Sequence, residues 1–184
     1  MVWIIIAAVV LVLVMYIVGT YNSLVSLRNK VRDQWAQIDV VLKRRADLIP
    51  NLVEIVKGYA SHEKETLDAV ISARNKGVNA NTAEEKMQAS GELTAALGRI
   101  FALSEAYPDL KANTNFMDLQ NQLKDTEDKI TYSRQFYNDS VLSYRNKIEM
   151  FPSNIVASMF GFKQSDAVFF EAAETDKEVP QVKF

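Results

Sequence analysis

The sequence predicts an all-α protein with a single N-terminal transmembrane helix, an elongated antiparallel bundle of three to four long helices, and an extended C-terminal tail. Three observations predict it. Val2 to Val18 is an unbroken apolar run of 17 residues. Two later stripes of mostly apolar side chains each take ten steps over 35 residues, a mean spacing of about 3.5, which is helical and not strand-like. No stretch alternates with period two over a useful length.

The apolar run extends roughly 26 Å as a helix, and Gly19 to Tyr21 bring it to about the 30 Å of a bilayer's hydrocarbon core. Trp3 near one end and Tyr16 and Tyr21 near the other are suited to the two interfaces, so Val2, Trp3, Tyr16 and Val18 mark the anchor, residues 1–20. A cleaved signal peptide fits less well, because no Lys or Arg precedes the run, the run is long, and Ile17-Val18-Gly19 is a poor cleavage site. The first charge is Arg28, so all 44 charged residues fall in 28–184 and make up about 28% of them, close to a usual soluble fraction. Arg28, Lys30 and Arg32, followed by Lys43, Arg44 and Arg45, form the one basic flank. The positive-inside rule places the N-terminus outside and the body in the cytoplasm. The same basic cluster also suits anionic headgroups.

The bundle is expected over residues 21–159. Its first stripe runs through 24, 27, 31, 35, 38, 42, 45, 49, 52, 56 and 59, with Trp35 large and aromatic and Arg45 the only charge. Arg45 either packs its stem and snorkels its head, or pairs with a carboxylate such as Glu127 as a core or oligomer contact. Pro50 removes a backbone hydrogen bond and crowds the carbonyl of Ala46, which predicts a kink more than a stop. The first rod either overhangs to Asn75 or breaks near Gly58 to Ser61, which would give four helices. Lys76 to Thr82 reads as a loop whose Thr82 caps the next helix. A shorter helix follows to Tyr107-Pro108, then a loop from Pro108 to Thr114. The second stripe runs from Phe116 to Phe151 through 119, 123, 126, 130, 133, 137, 141, 144 and 148. A short helix is expected near Ser153 to Met159. Residues 160–184 form an aromatic and acidic tail, with Phe169, Phe170, Val182 and Phe184 as its contact residues. The closing Pro180 to Phe184 either folds back on its own bundle or a neighbouring subunit, or adds as a strand to a partner's sheet edge.

Catalytic chemistry finds little footing. The chain has no cysteine and one histidine, which excludes disulfides, thiolate catalysis and His- or Cys-based metal centres. His62-Glu63 starts like a zinc-protease motif, but Thr66 stands where the second histidine belongs. The six glycines form neither a phosphate-cradling loop nor a nucleophile elbow, and Asp125, Glu127 and Asp128 alternate with lysines as a solvated helix face does. A net charge of −2 gives no field for a nucleic-acid backbone. No cofactor, metal, small-molecule substrate or catalytic residue is therefore expected.

The run from Tyr21-Asn22 through Arg28-Asn29, Trp35, Ile38-Asp39-Val40, Leu42 to Arg45, Asp47-Leu48-Ile49-Pro50-Asn51-Leu52-Val53 and Val56 to Ala60 resembles the LemA family of bacterial membrane proteins. The resemblance continues through Ala73-Arg74, Tyr107-Pro108, Glu127 to Ile130, Arg134, Tyr137-Asn138, Tyr144, Asn146, Phe151-Pro152 and Val182-Lys183-Phe184. It implies a membrane anchor followed by an antiparallel helical bundle, and a bacterial inner-membrane location. Some relatives are associated with magnetosome membranes, and others accompany membrane-bound heat-shock proteases. Two seams plus an aromatic tail carry more apolar surface than a thin three-helix bundle covers. The expected function is a non-enzymatic scaffold, homo-oligomeric and held by the lipid bilayer. The alternative is an adaptor for a membrane protease or signalling system, acting through the tail.

Overall fold

The computed structural model describes residues 1–170, which form six α-helices and no strand. The helices are α1 (Val2–Tyr59), α2 (Lys64–Asn79), α3 (Ala83–Ser104), α4 (Pro108–Lys111), α5 (Thr114–Glu149) and α6 (Ser153–Met159), followed by a 3-10 turn at Gln164–Asp166. Two compact units divide them. Of the described residues, one comprises 1–37 and 133–169, and the other 38–132 with 170. Val182 and Phe184, named above as tail contacts, lie outside the described residues.

In the unit that begins at Ile38, four helices supply most of one core, to which the short α4 adds Leu110. Ile49, Leu52 and Val56 of α1 meet Leu67, Val70 and Ala73 of α2, Leu93, Leu97 and Ile100 of α3, and Phe116, Leu119 and Leu123 of α5. The four-helix arrangement follows from a reversal at residues 60–63. The Ala60 amide closes α1 on the Val56 carbonyl at 2.8 Å, and the Glu63 amide turns back to the Ala60 carbonyl at 3.1 Å. A single rod to Asn75 would instead leave the apolar face of α2 in water.

Two expected loops are shorter than their sequence suggests. The loop placed at Lys76 to Thr82 begins only after Asn79, because α2 and α3 pack closely: a β-carbon on Gly77 would sit 3.6 Å from Ala89 Cβ, and Lys76 reaches Glu92 at 2.7 Å. Thr82 does cap α3: its hydroxyl accepts from the Glu85 amide, and the Glu85 carboxylate accepts from the Thr82 amide. Hydrogen bonds from the Asn81 amide first and the Thr82 amide second hold the Glu85 carboxyl below its usual range. The loop placed at Pro108 to Thr114 contains α4, with Pro108 starting the turn at the position where its missing N–H costs nothing. Leu110, fully buried in the core, fixes that turn. Asn113 then caps α5 by accepting from the Phe116 amide at 3.0 Å, and donates to the Tyr59 hydroxyl at the end of α1. With Arg45 opposite Glu127 further along, α1 and α5 run antiparallel here.

In the other unit, α1 meets the second half of α5 through Trp35, whose ring lies edge-on to Tyr137 at 5.7 Å. After α6, the chain turns through Gly161, whose φ of +74° belongs to the left-handed region. The Phe162 amide reaches back to the Ala157 carbonyl at 3.0 Å, closing the helix. Gly161→Ala is expected to lower the stability of this unit by about 1 kcal/mol, the cost of a β-carbon at positive φ. A smaller loss of melting temperature than Ser158→Ala, an exposed control on the same helix, would contradict this. Residues 162–169, at the start of the expected tail, return to this unit's helices, with Phe162 and Ala167 buried; Phe170, which belongs to the unit that begins at Ile38, is buried as well.

Candidate functional site: anchor, juxtamembrane corner and charged core

The anchor is the first feature the structure sets apart. Of the chain's helices, α1 alone among the described residues is long and apolar enough to cross a membrane. From Val2 to Val18 almost every side chain is open, including Trp3 and Tyr16. The change comes within two turns: Val18 is 53% exposed, Thr20 5% and Leu24 0%. Among the described residues nothing covers the first 18, and the helix continues without interruption into the folded units. A bare apolar cylinder of this length is unstable in water and stable in a bilayer.

Below the anchor, Tyr21 meets Phe160 at 4.9 Å and Phe162 at 5.8 Å between ring centroids. The Arg28 guanidinium lies 5.0 Å from the centre of the Phe162 ring, while Lys30 and Arg32 point outward. Arg145 covers the Phe169 ring at 4.7 Å and donates twice to the Ala167 carbonyl. Tyr144 is fully buried and donates to the Asp166 carboxylate at 2.9 Å. Burial first, and this hydrogen bond second, push its phenol up to about 12. Because the folded pKa lies above the ordinary 10, the protonated phenol stabilises the fold fully below pH 10, and that contribution disappears as pH rises through about 12. Alkaline unfolding followed by circular dichroism between pH 9 and pH 12 is expected to show this loss, and Tyr144→Phe to flatten it.

The second site is a charged cluster in the four-helix core. Arg45, 3% exposed, contacts Glu127, 32% exposed, at 2.8 Å, and donates to the Thr94 hydroxyl at 3.0 Å. The Thr94 hydroxyl donates to the Ser90 carbonyl at 3.0 Å. Of the two accounts of Arg45, the structure thus has a paired guanidinium inside the seam, not a snorkelling one.

Pro50 is exposed and α1 runs through it. The Ala46 carbonyl, which has no amide at position 50 to accept from, instead takes a hydrogen bond from Arg74 Nε at 3.0 Å. Sequence reasoning marked the orphaned carbonyl but missed Arg74, whose signal lies only in the resemblance at Ala73-Arg74. Arg74→Met is expected to cost about 1–3 kcal/mol by leaving that carbonyl unsatisfied. Pro50→Ala in the same chain is expected to restore most of it, since Ala supplies the missing N–H. Equal melting temperatures for Arg74→Met alone and in the double variant would refute this account.

A cleft of about 260 Å³ opens beside these residues, between Arg45, Arg74 and Lys86. Each of these cations already has a partner: Glu127, the Ala46 carbonyl and Asp39 respectively. His62 is exposed in the turn at 60–63. Its neighbour Glu63 accepts from the Tyr107 hydroxyl at 3.1 Å, which raises the Tyr107 pKa. Among the described residues no group of three acidic or histidine side chains is placed to hold a metal ion.

The model of the LemA family matches residues 34–184, most of the chain. The chain belongs to the LemA family. Its relatives in this family include Magnetosome protein MamQ 2 of Paramagnetospirillum magneticum, 25% identical over 172 residues, an alignment covering 79% of this chain and 63% of the relative. Protein LemA of Metamycoplasma hominis is 26% identical over 161 residues, covering 87% of this chain and 73% of the relative. Magnetosome protein MamQ of Magnetospirillum gryphiswaldense is 26% identical over 190 residues, covering 88% and 70%. The chain thus spans less than two thirds of the length of the first of these. None of these names assigns an enzymatic activity. Family membership, together with the exposed apolar helix, makes this a membrane protein with a helical bundle.

Proposed function

We propose that the protein is a non-enzymatic scaffold, anchored in the bacterial inner membrane with its N-terminus outside and its bundle in the cytoplasm, that self-assembles to organise the membrane or its protein partners. The observation that carries this reading is the uncovered apolar surface of residues 1–18 on a helix that runs straight into the folded units. Orientation is supported by Arg28, Lys30 and Arg32 following an uncharged segment.

Support for self-assembly comes from a different surface than the sequence suggests. Most positions of both stripes are buried or half-buried within the chain itself, so the seams do not call for a partner. Tyr132 and Phe136, one turn apart on α5, are instead more than half exposed, an unusual cost for two aromatics in a soluble face.

Purification in mild detergent followed by mass photometry tests the assembly. The full chain is expected to form discrete oligomers, and Tyr132→Ser with Phe136→Ser to shift them to monomer. A monomer throughout overturns the scaffold. Oligomers that survive while a tail deletion abolishes capture of a membrane protease favour the adaptor. For topology, the cysteine-free chain accepts a single Gln122→Cys, which a membrane-impermeant maleimide should modify only after cells are opened. Modification in intact spheroplasts reverses the orientation.

A further inference from the structure

Residues 150–162 stand out from the body in composition. Met150-Phe-Pro-Ser-Asn-Ile-Val-Ala-Ser-Met-Phe-Gly-Phe162 is a run of 13 residues with no Asp, Glu, Lys or Arg, while the next longest uncharged run after Arg28 is seven residues, 77–83. Within it α6 is two-faced. Ser153, Val156 and Ala157 are buried against the unit, and Ile155 and Met159, four residues apart on the other side, are 58% and 59% exposed. Phe151, at 80%, precedes this face and Phe160, at 50%, follows it, with Met150 also open. Five large apolar side chains turned outward within eleven residues are costly in water.

Their position says what covers them. Phe160 lies against Tyr21, and Tyr21 directly follows the segment where α1 ceases to be bare. The exposed corner is therefore continuous with the apolar surface of the anchor, at the level where the hydrocarbon core gives way to headgroups. Charge agrees with this level. Lys163 follows the uncharged run, Lys147 lies two residues before the Glu149 that precedes it, and Arg28 sits over Phe162. The nearby acids are engaged within the fold: Asp166 by Tyr144 and the Lys163 amide, Glu149 by Gln164. Apolar and aromatic groups rimmed by cations are the composition of an interfacial segment, which enters the headgroup and acyl boundary by about 5–10 Å.

We propose that the corner from Met150 to Phe162 is a second membrane contact, seated in the interfacial layer of the same bilayer that α1 crosses. It rests on the anchoring reading and deepens it: the protein is held at two points, one spanning and one lying in the surface. A spanning helix alone leaves the tilt of the attached unit loosely set, whereas a second contact with the same surface fixes the tilt and the face that the unit turns toward the bilayer.

The absence of cysteine makes the test direct. Full-length chains carrying Ile155→Cys, Met159→Cys, Leu11→Cys or Lys129→Cys are labelled with bimane and reconstituted in phosphatidylcholine and phosphatidylglycerol vesicles, with and without brominated acyl chains. All four positions are exposed, so labelling leaves the packing intact. Labels at 155 and 159 are expected to lose intensity on bromination as the label at 11 does, while the label at 129 keeps it. Quenching at 11 without quenching at 155 and 159 overturns the proposal and leaves the anchor standing. Energy transfer between chains labelled at 155, in place of lipid quenching, overturns it in favour of a second copy as the occupant. No quenching at 11 removes the anchor and the proposal together.

Discussion

Phe116→Ala is expected to lower the stability of the four-helix unit by about 3–5 kcal/mol, the range for emptying an aromatic site in a well-packed core. Phe116 is 1% exposed in a cluster to which α1, α2, α3 and α5 all contribute. Its ring lies edge-on to Phe101 at 6.5 Å, a contact worth about 0.5–1.5 kcal/mol beyond the area it hides. The residue also sits one turn into α5, where its amide donates to the Asn113 cap. That amide persists in the variant, so the loss is confined to the ring and the cavity it leaves. Native-state hydrogen exchange measures it in the intact membrane protein. Amides of Leu52, Val56, Val70 and Leu97 that exchange only by opening of the whole unit should speed up by about two to four orders of magnitude. Amides of Val141 and Tyr144, in the other unit, provide the contrast. Acceleration below tenfold in the first group would mean that the core collapses around the gap or that α5 is not integral to it.

The periodic parts of this fold were open to inspection in the sequence, because a helix of ten turns repeats its buried face ten times. The stripes from Leu24 and from Phe116 lie on α1 and α5, and Leu24, Ile38, Ile49, Phe116, Ile130 and Tyr144 are among the most deeply buried side chains. What escaped are features shorter than the period or fixed by distant chain. A four-residue helix such as α4 has one turn and no repeat to count. The length of α2 depends on how closely Gly77 approaches Ala89, a matter of packing and not of local preference. Pro50 announces an orphaned carbonyl, but its acceptor role toward Arg74, 28 residues beyond Ala46, is decided by the four-helix arrangement. The corner at Met150 to Phe162 was legible as composition and illegible as pattern. Its helix of seven residues is too brief to show two faces until the structure says which one is covered.

Glu127→Leu is expected to cost about 2–3 kcal/mol, and Arg45→Leu much less, although the two substitutions break the same ion pair. The difference lies in what each leaves behind. Removing the carboxylate takes the 2.8 Å ion-pair partner away from a guanidinium that is 3% exposed. Removing the guanidinium strands a carboxylate that is 32% exposed and regains water. That exposure also sets the magnitude below the roughly 3–5 kcal/mol of a pair buried on both sides. Arg45→Leu further places an apolar side chain between Ile38 and Ile49 in the seam, and the double variant Arg45→Leu with Glu127→Leu is expected to approach the stability of the parent. Denaturant unfolding of the four proteins in one detergent gives the cycle. A near-neutral double variant means that the pair contributes little net stability, and its role is then to fix which face of α1 meets α5. Losing Arg45 would free a seam of period 3.5 to slip by a turn or to pair with another copy. Crosslinking of Cys introduced at Tyr59 and Asn113 by a short bifunctional maleimide, which spans the length of the Tyr59 side chain, reports such slippage: a link that forms in the parent and fails in the apolar double variant identifies the Arg45–Glu127 pair as what sets the register.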